Sequence, residues 1–429
     1  MEQDVLAVII VGITIISFGM EKIPLGVTAM SAALVMSICG IITPTQVFSG
    51  FSGSVSTLIV GMMIIGNGLF ETGVAKLIGL KMANSKLGQS ERGFMMLVIF
   101  VSGILSGLLS NVAVGTMFMP IIAAVASRSN GKMQSKYITM AMGMAVGIGG
   151  SITMVGAPTQ LVMQGILLKT QGGRELGFFE LAPIGLIMLT AFAIYSFFLG
   201  HRVARKTFDF EEVKSAVPES ELLEENIKIT WQMILSGTVM VVVIIVFIFN
   251  LWHTSIAACT GAAVLLATKC IDYKRALREL DWNTVIIISG AQAFAFGFDK
   301  SGGGKLVANF ILGLAGGETA SAFVLMTVAI LIAGILTNFM SNTALTAMLV
   351  PIFMPLAIAV GASPITFAIA ICVASNLAVS TPIGTPCVSL TLPVGYRYND
   401  YVRYGVPINI ILMILLIIFM PIIYGMHYQ

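Results

Sequence analysis

Stretches of about twenty apolar residues recur along this chain, and they restrict its fold more than any other sequence feature. Examples are VLAVIIVGITIISFGM at 5–20, WQMILSGTVMVVVIIVFIFN at 231–250 and INIILMILLIIFMPIIYGM at 408–426. About 20 helical residues cross the hydrocarbon core of a bilayer, where every backbone polar group needs a partner within the protein. Charged residues make up only 10% of the chain, against about a quarter in a soluble domain. The sequence therefore predicts an all-α polytopic membrane protein.

Polar breaks divide the apolar sequence into spans of ordinary length and two segments of about twice that length. The ordinary spans lie near 5–20, 24–42, 54–70, 137–169, 180–200, 231–250, 254–268, 283–298, 364–394 and 404–425. The long segments are 93–128 and 321–360. Each carries a Ser-Asn pair near its midpoint, in LLSNVAVGTMFMP (108–120) and FMSNTALTAMLVP (339–351).

Lysine and arginine predict how these segments thread the membrane, because cytoplasmic loops carry an excess of both. Basic residues flank both ends of 93–128, whereas the near flanks of 321–360 carry none. We expect the first segment to be a re-entrant hairpin that enters from the cytoplasm, and the second to enter from the opposite side. Of the 23 basic residues, this threading leaves outside only Lys169, Arg174, Lys300 and Lys305. It also places both termini outside and makes 5–20 a retained span, since no basic residue precedes it.

The two halves of the chain match in sequence. GILSGLLSNVAVGTMFMP (103–120) is similar to GILTNFMSNTALTAMLVP (334–351), and GGSITMVGAPT (149–159) is similar to LAVSTPIGTPC (377–387). We predict inverted repeats of five transmembrane helices plus one re-entrant hairpin each, because an odd number of spans reverses the second copy. The boundaries are 1–200 for the first repeat, 201–228 for a charged cytoplasmic linker and 229–429 for the second repeat. Secondary transporters are built this way, with their sites at broken helices near the membrane midplane.

Helix ends inside the membrane are the candidate binding elements. We expect Asn111 and Asn342 to cap the helices that follow, which would begin at Val112 and Thr343. The hydroxyl, amide and carbonyl oxygens left over at such ends suit a hard monovalent cation such as Na⁺.

GAPT (156–159) and GTPC (384–387) predict a second pair of helix breaks. Glycine permits a bend, and Pro158 and Pro386 suit the first position of a new helix. Four helix N-termini would then converge, each with free N–H groups and about half a positive charge. Together they would form an anion site without a basic side chain.

The residues that other classes of membrane protein need are absent from the spans. No Asp or Glu lies mid-span, where an ionisable group would mark a proton relay. The three histidines, His201, His253 and His427, lie at segment ends or near the terminus. No Ser/His/Asp or Cys/His set indicates an intramembrane hydrolase. We therefore expect a protein that is not an enzyme, with no organic cofactor and no nucleic-acid partner.

These features resemble the divalent anion:sodium symporter family, the INDY-type di- and tricarboxylate transporters of the ion-transporter superfamily. The hallmark of that family is a Ser-Asn-Thr motif at each of two opposed hairpin tips. The second motif is intact here, as Ser341-Asn342-Thr343, and the first reads Ser110-Asn111-Val112. The likeness covers nearly the whole chain and includes GGSITMVGAPT, STPIGTP and PVGYRYNDYVRYG at 393–405.

The resemblance implies a homodimer in the inner (cytoplasmic) membrane that works by an elevator mechanism, with Na⁺ as the coupling ion. The small anionic solute would be bound by Ser110, Asn111, Val112, Ala157, Pro158, Thr159, Ser341, Asn342, Thr343, Thr385 and Pro386. One Na⁺ would lie near Ser106, Ser110, Asn111 and Gly156, and the other near Thr337, Asn342 and Gly384. Val112 departs from the motif and removes one hydroxyl beside the solute.

The function that these features predict is sodium-coupled transport of a small divalent anion such as a C4-dicarboxylate. In two alternatives the protein is still a carrier: in one it transports sulfate or another oxyanion, and in the other it exchanges anions without sodium. A channel would need a continuous pore, which two closed hairpins disfavour. A cation/proton antiporter would need the acidic residue that the spans lack.

Overall fold

The computed structural model of the chain is all-α, and it describes residues 2–83, 85–129, 131–210, 229–314 and 321–427. Within those ranges the only β-type pairing is an isolated bridge between Ala362 and His427. Seven described helical segments are long and apolar enough to cross a membrane, and one of them is the continuous stretch Ala182–Thr207. Four further apolar helices are shorter. The predicted class, an all-α polytopic membrane protein, is confirmed.

The described part of the first half forms helices α1 to α11. They are α1 (Gln3–Met20), α2 (Leu25–Ile38), α3 (Pro44–Phe48), α4 (Ser54–Thr72), α5 (Val74–Ala83), α6 (Glu91–Ser106), α7 (Asn111–Arg128), α8 (Ser135–Gly149), α9 (Pro158–Leu167), α10 (Ala182–Tyr195) and α11 (His201–Thr207). A π-turn at Ser196–Gly200 joins α10 to α11. The predicted linker, 201–228, therefore begins inside a helix, and its residues 211–228 lie outside the described ranges.

The described part of the second half forms helices α12 to α21. They are α12 (Trp231–Ile248), α13 (Thr254–Ala267), α14 (Tyr273–Arg278), α15 (Trp282–Lys300), α16 (Gly303–Leu314), α17 (Ala322–Leu336), α18 (Asn342–Ala359), α19 (Pro364–Ser375), α20 (Pro386–Ser389) and α21 (Tyr398–Tyr424). Two short helices, α3 and α14, were not predicted. They occupy matching places, between the second and third long helices of each half.

The centre of the molecule is formed by α8, α9 and α19. These helices are buried along almost their whole length and on every face. A helix that is apolar all round is typical of such a position. By contrast, α21 exposes Ile410, Ile414, Ile418 and Ile422 at a spacing of four residues, so one apolar stripe of this helix is available to lipid.

The two halves pack against each other through reciprocal contacts. A Cβ added to Gly61 on α4 would lie 2.7 Å from the Ala258 backbone on α13. A Cβ added to Gly290 on α15 would lie 2.7 Å from the Ala29 backbone on α2. Small residues at such points let helix backbones approach closely. Such contacts, in which each half offers the same pair of helices to the other, are expected of two copies related by a two-fold axis. The inverted orientation of the two copies in a membrane stays a prediction.

Candidate functional site

Both predicted hairpin segments consist of two helices joined at the Ser-Asn pair. Helices α6 and α7 meet at residues 107–110, and α17 and α18 meet at residues 337–341. The expectation that Asn111 and Asn342 cap these helices is wrong. Each asparagine is the first helical residue, and Ser110 and Ser341 hold the cap positions without a side-chain hydrogen bond.

The asparagine side chains instead point back at the hydroxyl five residues earlier. Ser106 Oγ lies 2.5 Å from Asn111 Oδ1 and 2.7 Å from the Val146 carbonyl oxygen. A hydroxyl has a single proton to donate. The Val146 carbonyl also accepts the backbone N–H of Gly150, so it has a donor even when the Ser106 proton is donated to Asn111. Three oxygen atoms lie close together here. We call this group, Ser106, Asn111 and Val146, the first oxygen cluster.

An equivalent group lies at the other tip. Thr337 Oγ1 lies 2.7 Å from Asn342 Oδ1 and also contacts the Ser375 carbonyl oxygen. We call Thr337, Asn342 and Ser375 the second oxygen cluster. Both hydroxyl residues are fully buried. In the second cluster the Thr337 hydroxyl has one proton for two oxygens, and a buried oxygen is costly unless a further donor or a cation satisfies it.

The second pair of helix breaks is present, but both breaks begin earlier than predicted. Helix α8 ends at Gly149 and α9 begins at Pro158, while α19 ends at Ser375 and α20 begins at Pro386. The two prolines thus take the first helical position, as expected. The fourth helix, α20, has only four residues, so its dipole is small and three full helix N-termini, not four, face the site.

Threonines in the breaks fix each break to its own hairpin. Thr153 donates to the Gly107 carbonyl, and Thr381 donates to the Asn338 carbonyl at the equivalent place. These bonds explain why α8 and α19 end early: the chain after each helix has to turn away from the helix axis to reach the hairpin tip. The two breaks also touch each other, since Asn376 donates to the Ser151 hydroxyl at 3.0 Å.

One cavity of about 340 Å³ lies between the two tips and the two breaks. All the residues that the sequence assigned to the solute line it: Ser110, Asn111, Val112, Ala157, Pro158, Thr159, Ser341, Asn342, Thr343, Thr385 and Pro386. Gly156 and Gly384 line it as well. Ser106 and Thr337 lie behind the asparagines, in the oxygen clusters. The structure therefore brings every predicted site residue together, and their roles in binding stay predictions.

The two predicted glycines stand where a larger residue would not fit. A Cβ on Gly384 would lie 2.1 Å from the Thr337 carbonyl oxygen, and a Cβ on Gly156 would lie 2.2 Å from the Gly150 carbonyl oxygen. Gly150 in turn lies against the Asn111 side chain. At these points the backbone of each break therefore lies close to an oxygen cluster, with no side chain between them.

Sequence reasoning missed several residues that line the cavity. Asn67 of α4, Glu279 and Asp281 near α14, and Asn376 at the second break belong to it. Asn67 and Asn376 are polar residues inside apolar spans, and that signal could have identified them. No local pattern indicates that the loop holding Glu279 and Asp281 reaches the cavity. Within the described ranges, the residues that line the cavity include no lysine, arginine or histidine.

A carboxylate of the chain itself already contacts the second tip. The backbone N–H of Ser341 donates to Glu21 Oε1 at 2.5 Å. Glu21 ends α1 with a positive φ of 50°, an uncommon conformation for a residue other than glycine. The contact is consistent with the electropositive character of a helix N-terminus.

The comparisons with known proteins agree with this geometry. The model of the family described as "Citrate transporter" matches residues 15–365 of the chain. The chain is similar to the sodium-dependent high-affinity dicarboxylate transporter 3 of Caenorhabditis elegans, at 24% identity over 93% of this chain and 80% of that protein. It is also similar to the sodium-dependent dicarboxylate transporter SdcS of Staphylococcus aureus, at 23% identity over 94% of this chain and 84% of that protein.

Among solved structures, the chain is similar to MtrF of Neisseria gonorrhoeae, which is described as one of a class of antimetabolite efflux pumps. The TM-score is 0.67 at 15% sequence identity, over 98% of this chain and 95% of that one. At this identity the likeness shows the fold alone.

Proposed function

We propose that this chain, which belongs to the citrate transporter family, is a secondary active transporter that couples the movement of a small dicarboxylate to Na⁺. It is a multi-pass membrane protein and a transporter by family; the substrate, the coupling ion and the mechanism are the proposal. Its location in the inner (cytoplasmic) membrane is part of the same proposal.

The observation that carries the proposal is the pair of equivalent oxygen clusters on either side of one cavity. Each cluster joins a hydroxyl, an amide oxygen and a backbone carbonyl. The hydroxyl and the amide lie at matching positions of the two halves, and the carbonyl comes from the last turn of the helix before each break. Neutral oxygens gathered in this way suit a hard monovalent cation. Two clusters at one cavity favour two Na⁺ ions and one solute between them.

The shape and charge of the cavity favour an anion held by backbone donors. Helices α7, α9 and α18 point their N-termini at it, and a helix N-terminus offers free N–H groups and about half a positive charge. The hydrogen bond from the Ser341 backbone N–H to the Glu21 carboxylate supports this, because it pairs one of these ends with a carboxylate of the chain itself. Two opposed tips suit a solute with two carboxylates, and bound Na⁺ would supply the charge balance that side chains in the cavity do not.

The proposed mechanism is an elevator in a homodimer, which the resemblance to the divalent anion:sodium symporters implies. The reciprocal packing of the two halves supports a two-fold internal repeat, the arrangement that alternating access commonly uses. In this mechanism the tips and breaks would move as one unit, since Thr153, Thr381 and Asn376 tie them together.

Uptake into proteoliposomes tests the proposal. We expect radiolabelled succinate to accumulate when an inward Na⁺ gradient is imposed, and not when K⁺ or choline replaces Na⁺. Unlabelled malate and fumarate should compete, and sulfate should not. Competition by sulfate in place of the dicarboxylates would favour an oxyanion carrier. Uptake that needs an internal anion but no Na⁺ would favour an exchanger and contradict the proposal.

A further inference from the structure

A second cavity, of about 500 Å³, adjoins the first one. The two cavities share Asn67, Phe70, Ala113 and Glu279, and the second adds residues at its outer end: Glu71, Thr116, Met117 and Arg275. The Arg275 side chain is 59% exposed, so the second cavity forms the mouth of the first. In the predicted topology this mouth faces the cytoplasm, because the loops that follow α4 and α13 lie on that side.

The mouth carries one cation among several carboxylates. Nε of Arg275 lies 2.7 Å from Oε1 of Glu71 and 2.7 Å from Oε1 of Glu279. A single N–H serves one acceptor, and the hydrogen bond goes to Glu279, which raises the pKa of Arg275 further. The Glu71 oxygen is buried and has no hydrogen-bond donor. The Nε–H group therefore has two carboxylate oxygens within reach and serves only the one from Glu279.

The chemistry of the mouth opposes the solute that the site is built to hold. Glu71, Glu279 and Asp281 are negative, and Arg275 is the only cation among the described residues that line the two cavities. A dianion that enters or leaves through this mouth passes all three carboxylates. An arginine fork matches a carboxylate in two parallel hydrogen bonds. It can therefore pair with the solute as well as it pairs with a glutamate.

We propose that Arg275 receives the anion at the mouth of the cavity, and that Glu71 and Glu279 compete with the anion for its guanidinium. This inference rests on the proposed function, since it needs an anionic solute. The pairing eases entry past the acidic mouth, and the return of Glu279 to Arg275 frees the anion again. Arg275 thereby sets the rate at which dicarboxylates associate from this side.

Stopped-flow tryptophan fluorescence of the purified full-length protein measures that rate, with succinate as the probe at fixed Na⁺. Local charges of this kind change association rates by about tenfold or more at low ionic strength. We expect Arg275→Gln to slow association about three- to tenfold at low salt and to have little effect at high salt. Arg275→Lys keeps the charge but not the fork, so it should retain only part of the rate, and Glu279→Gln should increase the rate.

The matched control is Arg278→Gln, which removes the same charge from an exposed position on the same helix, outside both cavities. This control should leave the association rate nearly unchanged. A reduction in Arg278→Gln equal to that in Arg275→Gln would overturn the inference. So would a loss in Arg275→Gln that is equally large at every ionic strength and accompanied by a lower melting temperature, because that result marks a structural tether between α14 and α4. An unmutated protein that binds no dicarboxylate would overturn the proposed function and this inference together.

Discussion

Ser106 and Thr337 each hold a buried hydroxyl against an asparagine oxygen and a backbone carbonyl. If these groups bind Na⁺, the loss of one oxygen lowers the affinity for Na⁺ and leaves the fold intact. We expect Ser106→Ala to raise the half-saturating Na⁺ concentration about tenfold, as the loss of about 1.5 kcal/mol implies. Titration of Na⁺ at constant succinate measures the shift.

The control for this substitution is Ser102→Ala, one turn earlier on α6. Its hydroxyl is equally buried but has no hydrogen-bond partner, so its removal should leave the Na⁺ dependence unchanged. An identical Na⁺ titration for Ser102→Ala and Ser106→Ala would exclude Ser106 from an ion site.

Val112 lines the cavity at the position that Thr343 holds in the other half, and it is 42% exposed. Val112→Thr adds a hydroxyl with almost the same shape. A net hydrogen bond contributes about 0.5–1.5 kcal/mol, so we expect dicarboxylates to bind about two- to tenfold more tightly. Isothermal titration against a panel of dicarboxylates measures this change. Val125→Thr, at the far end of α7, should bind as the unmutated protein does; unchanged affinities in both variants would mean that residue 112 does not contact the solute.

At this scale the sequence identifies side chains better than backbone groups. The Ser-Asn pairs and the Gly-x-Pro breaks lie in the stretches that supply all the residues predicted to bind the solute, and every one of these residues lines the cavity. The Val146 and Ser375 carbonyls could not be predicted, because any residue type supplies the same carbonyl. The capping role of Asn111 was wrong for a related reason: the hydroxyl of Ser106 competes with the helix end for its side chain.

At the scale of elements, the two helix breaks depend on glycine at points of close approach. Gly156→Ala and Gly384→Ala would each place a Cβ within about 2.2 Å of a carbonyl oxygen. Overpacking of this kind costs about 1–3 kcal/mol, and here it displaces an oxygen cluster. We expect both variants to have a lower melting temperature and to lose Na⁺-dependent binding of succinate.

Gly237→Ala on α12 is the comparison for these variants. Nothing lies within 4 Å of its added Cβ, and alanine is favoured over glycine inside a helix. This variant should melt at the same temperature or higher and should bind normally. Normal binding by Gly384→Ala would show that the second break is not fixed as the structure has it.

The residue at which each break ends could be predicted from the sequence, but the residue at which it begins could not, so the length of the breaks could not be predicted either. Proline marks where α9 and α20 begin, whereas the ends of α8 and α19 depend on distant partners such as Gly107 and Asn338. The two short helices that were missed carried a local signal. Thr43 and Gln46 form a capping box at the start of α3, and Asp272 caps α14; such caps are readable in advance.

For the whole molecule, the distribution of basic residues predicts that both ends of the first hairpin face the cytoplasm and that the end of α9 faces outward. We test this with single cysteines at exposed positions in a background without native cysteines. Lys86→Cys and Lys132→Cys should react with a membrane-impermeant maleimide only after permeabilisation. Gln171→Cys should react in intact cells. External labelling of Lys86→Cys or Lys132→Cys would contradict the re-entrant hairpin.

The polytopic class and the match between the halves are readable from the chain because apolar length and repeated motifs are local properties. The cavity mouth is not, since it depends on how α4, α7 and α14 pack. Residues such as Asn67 and Glu279 are more than two hundred positions apart along the chain, and only the assembled fold brings them together.

Sodium coupling is the central claim, and the dependence of dicarboxylate affinity on Na⁺ tests it most directly. Binding of succinate to the purified protein is titrated at several Na⁺ concentrations, with choline as the replacement cation. Coupling is reciprocal, so the dissociation constant for succinate should fall as Na⁺ rises, and succinate should tighten Na⁺ by the same factor. A succinate affinity that is the same at every Na⁺ concentration would contradict the account.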